Sequence, residues 1–123
     1  MNILAFDQGT TSSRAILFND RFEALSSASQ PIEQIYPAEG YVEHSAEELF
    51  SSVLRCAAEC LYGLKIKPDA IGITNQRETV VVWERATGRP IHNAIVWQCR
   101  RTADACEKLK HASFADYIKE KTG

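Results

Sequence analysis

A short apolar run ends at Asp7, and directly after it stand Gln8, Gly9, Thr10, Thr11, Ser12, Ser13 and Arg14. Glycine lets a backbone come close to a ligand, hydroxyl and N–H groups can point at phosphate oxygens, and a guanidinium adds a planar positive fork. A carboxylate in this place can hold hydrated Mg2+ beside those oxygens, because Mg2+ keeps several waters and takes one or two carboxylates. These parts suit a phosphate-and-metal site. They equally suit a polar hairpin turn that binds nothing. Neither the Walker spacing nor G-x-G-x-x-G occurs, which excludes the two commonest phosphate loops.

Arg77 and Glu78 form a second loaded segment, set between two apolar runs. A charged pair there costs stability unless it is exposed, paired or occupied by a ligand. Each hydroxyl of a polyol both donates and accepts, so a guanidinium beside a carboxylate matches it better than either group alone. The competing reading is a solvated ion pair in an exposed turn, worth under about 1 kcal/mol. Trp97 offers an apolar face to the carbon skeleton of the same small ligand, although a tryptophan at a strand end also serves as core. His44, His92 and His111 have no nucleophile or carboxylate at a suggestive spacing, so they are expected at the surface without a catalytic role. The cysteines Cys56, Cys60, Cys99 and Cys106 lack a C-x-x-C pair and are expected as buried, reduced thiols. Arg100 and Arg101 read as a solvated helix start rather than a nucleic-acid contact.

The elements that must position these residues follow from pattern. The apolar runs 3–6 and 15–18 predict a β-hairpin with Gly9 to Ser13 in its turn, and residues 22–29, stopping near Pro31, predict a third antiparallel strand. Ser45 with Glu48 is a capping box that opens a helix, whose apolar face is read as Leu49, Phe50, Val53, Leu54, Ala57, Cys60, Leu61 and Leu64. Gly63 and Pro68 mark its exit. Residues 70–74 and 79–83 predict a buried strand pair interrupted by Asn75 to Glu78. A turn at Thr87 to Pro90 leads to a short strand at 94–97, then helices at about 102–110 and 113–119.

At 123 residues, with 45% apolar and 24% charged side chains, the chain fits one folding unit and excludes a disordered or collagen-like class. A formal net charge of -2 argues against a dedicated nucleic-acid or anionic-membrane surface. No run approaches the roughly 18 apolar residues of a membrane span, so a cytoplasmic location is the default expectation.

Three segments, Phe6 to Arg14, Gly72 to Thr79 and Asn93 to Thr102, resemble in order and spacing the N-terminal part of the FGGY carbohydrate kinases. Gln34-Ile35-Tyr36-Pro37 and Gly40-Tyr41-Val42-Glu43-His44 extend the likeness over nearly the whole chain. The hairpin motif marks the wider family, with its RNase H-like, actin-like ATPase core. The Asn75 to Glu78 and Trp97 segments point to the branch that acts on glycerol, since kinases of larger sugars carry different residues there.

The resemblance implies an α/β fold, a mixed sheet with flanking helices, in each of two related domains that bind ATP and substrate in the cleft between them. Residues 1–123 would be the N-terminal part of the first domain. Thr10, Thr11, Ser12 and Arg14 would contact nucleotide phosphates, and Asp7 would sit by the Mg2+. Arg77 and Glu78 would bind glycerol hydroxyls, with Trp97 lining the pocket. Family members are several times longer, so the second domain, the aspartate that resembles a general base, and the adenosine pocket are expected to be missing. No catalytic residue is therefore assigned here, the chain alone is expected to be inactive, and homo-oligomerisation of the intact protein stays open. The rival readings are a kinase of another small polyol or sugar, a non-catalytic nucleotide- or polyol-binding fragment, and an RNase H-like nuclease. The nuclease needs several clustered acidic ligands where the strands offer only Asp7.

Overall fold

The computed structural model describes all 123 residues. Strands β1 (Ile3–Gln8) and β2 (Ser12–Phe18) pair antiparallel from Ile3 with Phe18 to Gln8 with Ser13, which leaves only Gly9 to Thr11 to turn the chain. Strand β3 (Ala24–Pro31) lies antiparallel on the far side of β2, with a register shift at Leu17 and Phe18. The hairpin and third strand stand where the apolar alternation placed them.

The two-residue strand β4 (Glu43–His44) then runs into helix α1 (Ala46–Leu61). The Ser45 hydroxyl accepts from the Glu48 N–H at 3.2 Å, which caps the helix start. Only half of the expected capping box forms, because the Glu48 carboxylate turns outward to Arg55 and Ser51. The helix ends at Tyr62, followed by Gly63 at φ +71°, a conformation that favours glycine. Strand β5 (Ala70–Thr74) returns parallel to β1, giving a mixed sheet in the order β3-β2-β1-β5. Such a parallel return requires a crossover, and α1 supplies it.

One face of this sheet meets α1. Leu4 and Phe6 of β1, Ala15 and Leu17 of β2, and Ala28 of β3 pack against Cys56 and Cys60. The helix contributes a stripe of small side chains four residues apart, Ser52, Cys56 and Cys60, all buried. The expected face was rotated from this: Phe50 and Leu54 are 68% and 52% exposed, while Val53, Ala57, Leu61 and Leu64 flank the contact. The reason is the sheet surface, which is itself small at Ser13, Ala15 and Ala28, so the helix comes close on its smallest side chains. The Ser13 and Ser52 hydroxyls meet at 2.7 Å inside this contact, and the Cys56 thiol donates to the Ser13 carbonyl.

The second half departs further from expectation. Strand β5 is exposed along its whole length, with Ile71 at 62% and Ile73 at 75%, rather than buried. Residues 79–83 form no regular strand, and pair only through isolated bridges, Val80 with Ile95 and Trp83 with Pro90. Glu78, immediately before this run, sits at φ +56°, a left-handed backbone that a continuous strand does not contain. Of the strand expected at 94–97, only β6 (Ala94–Ile95) forms, antiparallel to β4. Helices α2 (Ala103–Lys110) and α3 (Ala115–Thr122) follow as expected. No helix is long and apolar enough to cross a membrane.

Candidate active site

The turn between β1 and β2 is gripped from behind. Gly9 N–H donates to Ser12 O at 2.9 Å, and a Cβ on Gly9 would come within 3.0 Å of that same carbonyl, so the turn closes around a glycine. Three successive turn carbonyls are each held: Gly9 O accepts from Gln76 Nε2 at 2.9 Å, Thr10 O from Gln34 Nε2 at 2.9 Å, and Thr11 O from Ile32 N–H at 2.9 Å. The N–H groups of Thr10 and Thr11 have no protein partner. Carbonyls held by protein donors and N–H groups left free are the parts that an anion cradle requires.

Beside this turn lies a concavity of about 420 Å3. The end of β1 and the turn line one side through Asp7, Gln8, Gly9 and Thr10. Asn75, Gln76, Arg77 and Glu78, immediately after β5, line another, and Trp97 completes it. The parallel pairing of β5 with β1 sets Thr74 against Asp7 and so brings the two polar segments to the same end of the sheet. Trp97, 55% exposed, donates its indole Nε1–H to Thr10 Oγ1 at 3.0 Å, which joins the third segment to the turn.

Asp7, Thr10, Arg77, Glu78 and Trp97 thus share one concavity, and Arg77 and Glu78 are exposed in it without pairing to each other. Thr11, Ser12 and Arg14 do not line it. Thr11 is exposed at the tip of the turn, and Ser12 and Arg14 begin β2. Arg14 stands directly opposite Asp7, so both side chains project from the sheet face away from α1. The donor set suits hydrated Mg2+ with bound phosphates: one exposed carboxylate, Asp7, lines the same concavity as Thr10, and no cluster of three or more metal-ligating side chains encloses it.

Sequence reasoning missed the support of this site. His44, expected at the surface, is fully buried, with its Nε2 2.9 Å from Gln34 Oε1 and its Nδ1 3.3 Å from Gln76 Nε2. Burial holds its pKa below the ordinary 6.5. Gln76 belonged to the polar stretch after β5 and is 8% exposed, while Gln34 carried no signal of its own. Arg101, expected to be solvated, forms an ion pair with the buried Glu43 and lies 4.3 Å over the Tyr41 ring. The hydrogen bond from Arg101, with one from Asn93, holds the Glu43 carboxyl below its ordinary 4.5. Of the thiols, Cys56 and Cys60 are buried as expected, whereas Cys99 is half-buried and Cys106 exposed.

The family of N-terminal domains of FGGY carbohydrate kinases matches residues 2–123, and the chain belongs to that family. Its similarity within the family runs to glycerol kinases. The glycerol kinase of Bacillus cytotoxicus is 55% identical, and that of Bacillus cereus 52%, each over 98% of this chain. The chain spans about a quarter of the length of these curated relatives. The crystal structure of Plasmodium falciparum glycerol kinase with ADP superposes with a TM-score of 0.86 at 32% identity, covering 94% of this chain and 24% of that one. Ligand-bound xylulose kinase from Lactobacillus acidophilus superposes at 0.91 over 99% of this chain and 25% of its own, at 23% identity, and so shares the fold.

Proposed function

We propose that this chain forms one wall of an ATP-dependent glycerol kinase, as the N-terminal part of its first domain, and supplies the phosphate-end turn and part of the glycerol site. The observation that carries this reading is the meeting of Arg77, Glu78 and Trp97 with the Asp7–Thr10 turn in one small concavity. Relatives above 50% identity that are glycerol kinases, and a glycerol kinase of the same fold with ADP, support it.

In this reading Arg77 donates to glycerol hydroxyls and Glu78 accepts from them, which fixes the polyol and turns one terminal hydroxyl toward the phosphate end. Trp97 covers the carbon skeleton. The N–H groups of Thr10 and Thr11, the neighbouring hydroxyls including Ser12, and the Arg14 guanidinium offset charge on the transferring phosphoryl group, where stabilisation and positioning supply most of the acceleration. Asp7 would hold a hydrated Mg2+, whose charge would offset that of the phosphates. The four free cysteines fit a reducing, cytoplasmic compartment.

A substrate panel on the intact protein tests the assignment. Glycerol should give the highest kcat/KM among small polyols and sugars with ATP as donor. A preference for a pentulose or hexonate would contradict it.

A further inference from the structure

The two glutamines that grip the turn are themselves joined by one side chain. Gln34 Nε2 faces two carbonyls, Thr10 O at 2.9 Å and Ile32 O at 3.2 Å, and Gln76 Nε2 faces Gly9 O at 2.9 Å. An amide end that faces carbonyl oxygens is the NH2 end, so both oxygen ends are fixed as well. Gln76 Oε1 accepts from Thr79 Oγ1 at 2.9 Å. Gln34 Oε1 lies 2.9 Å from His44 Nε2, which must therefore carry the proton. Nδ1 is left with its lone pair and faces Gln76 Nε2 at 3.3 Å, where it shares that amide with Gly9 O at 2.9 Å and Gln8 Oε1 at 3.3 Å. Only the neutral imidazole, protonated on Nε2, satisfies both neighbours at once.

The ring is fully buried, and burial alone holds its pKa below 6.5. The charges around it are engaged elsewhere or point away. Glu43, its neighbour in β4, pairs with Arg101. In the first turn of α1, Glu48 pairs with Arg55 and Glu47 is exposed. Across the small sheet, β6 sets the uncharged Ala94 opposite His44, with exposed His92 two residues earlier. Asp7, on β1, is exposed and lines the concavity.

We propose that His44 is a positioning residue for the phosphate end of the site: through Gln34 and Gln76 it fixes the Gly9 and Thr10 carbonyls and so aims the free N–H groups of Thr10 and Thr11 at bound phosphate. This rests on the phosphate reading of the turn. A proton added at Nδ1 sets an N–H against the Gln76 NH2 group, two donors face to face, and drives Gln76 from its place, so that Gly9 O keeps only the Gln8 Nε2 donor at 2.8 Å. Nucleotide affinity then falls as His44 gains charge.

The test is ADP binding by the intact protein, measured by titration calorimetry across pH for wild type, His44→Gln and His44→Ala. Glutamine offers one accepting and one donating end but has no proton to gain. His44→Ala should weaken ADP binding by about tenfold at neutral pH, the effect of leaving a buried hydrogen-bonding group unpaired. Wild type should lose affinity on the acid side of 6.5. His44→Gln should keep most of the neutral-pH affinity and lose less of it in acid than wild type, since protonation of ADP itself is common to both proteins and cancels in the ratio of their affinities. An alanine variant that binds like wild type, or a ratio of wild-type to His44→Gln affinity that stays constant from neutral pH into acid, overturns the proposal. Wild type that binds no ADP overturns it together with the phosphate reading. Wild type that binds ADP but does not phosphorylate glycerol removes only the substrate assignment and leaves the His44 result standing.

Discussion

Two buried titratable residues, adjacent in β4, set how the protein answers acid. His44 stays neutral by burial, so the unfolded chain binds its proton first, and stability is complete above 6.5 and falls as pH drops below that value toward the lower folded pKa. Glu43 is the opposite type of group with the same sign. Its carboxyl is held below 4.5 by Arg101, so its contribution is present above 4.5 and is lost as pH falls through the folded value. Urea midpoints followed against pH should therefore decline in two stages, and Glu43→Gln should shrink the lower one, to which Glu48, held below 4.5 by Arg55, also contributes; a flat midpoint between 6.5 and 4.5 would contradict the neutral His44. The thiols divide likewise. Burial pushes the Cys56 thiol up. At Cys99 burial acts the same way, but backbone N–H groups of Arg101 and Val42 and the Arg101 side chain outweigh it and hold the thiol below its ordinary value. Iodoacetamide should modify Cys99 well before Cys56, as read by peptide mass spectrometry.

At the scale of elements, α1 is where local sequence and long-range packing can be separated. Ser45→Ala removes the helix cap and should cost about 1 kcal/mol. Ser52→Leu forces a large side chain into the small-residue contact with Ser13 and should cost about 1–3 kcal/mol, whereas the exposed Phe50→Ser should stay within about 0.5 kcal/mol. Chemical denaturation of the three variants checks the order, and a larger loss for Phe50→Ser than for Ser52→Leu would refute the observed face. The hairpin, α1 and the two C-terminal helices were legible because alternation, caps and three-to-four-residue spacing are local signals. The facing of α1 was not, since it depends on how small the opposing strands are. Nor was the break after β5, where one residue, Glu78, takes a left-handed backbone immediately before a run that reads as strand. Of the concavity's lining, Asp7, Thr10, Arg77, Glu78 and Trp97 were singled out by residue type and spacing. Their support by Gln34, His44 and Gln76 was not, because polar residues far apart in sequence show their shared burial only when the strands are paired.

Across the whole molecule, the proposed site is a single open wall. Asp7, Arg77, Glu78 and Trp97 are all exposed, and β5 presents an uncovered sheet edge beside them. One wall orients poorly and leaves a phosphoryl group in contact with water. The 123 residues alone should therefore produce no glycerol 3-phosphate from ATP and glycerol in an assay free of host kinase. The central claim, that the concavity formed by the turn, Arg77, Glu78 and Trp97 is where glycerol meets phosphate, is tested most directly by steady-state kinetics of the intact protein with and without Arg77→Ala. A charged hydrogen bond contributes about 1.5–3 kcal/mol, so the variant should lose roughly tenfold or more in kcat/KM for glycerol while the protein remains folded. An Arg77→Ala variant with unchanged kcat/KM for glycerol, or a wild-type protein that transfers no phosphate to it, would contradict the account.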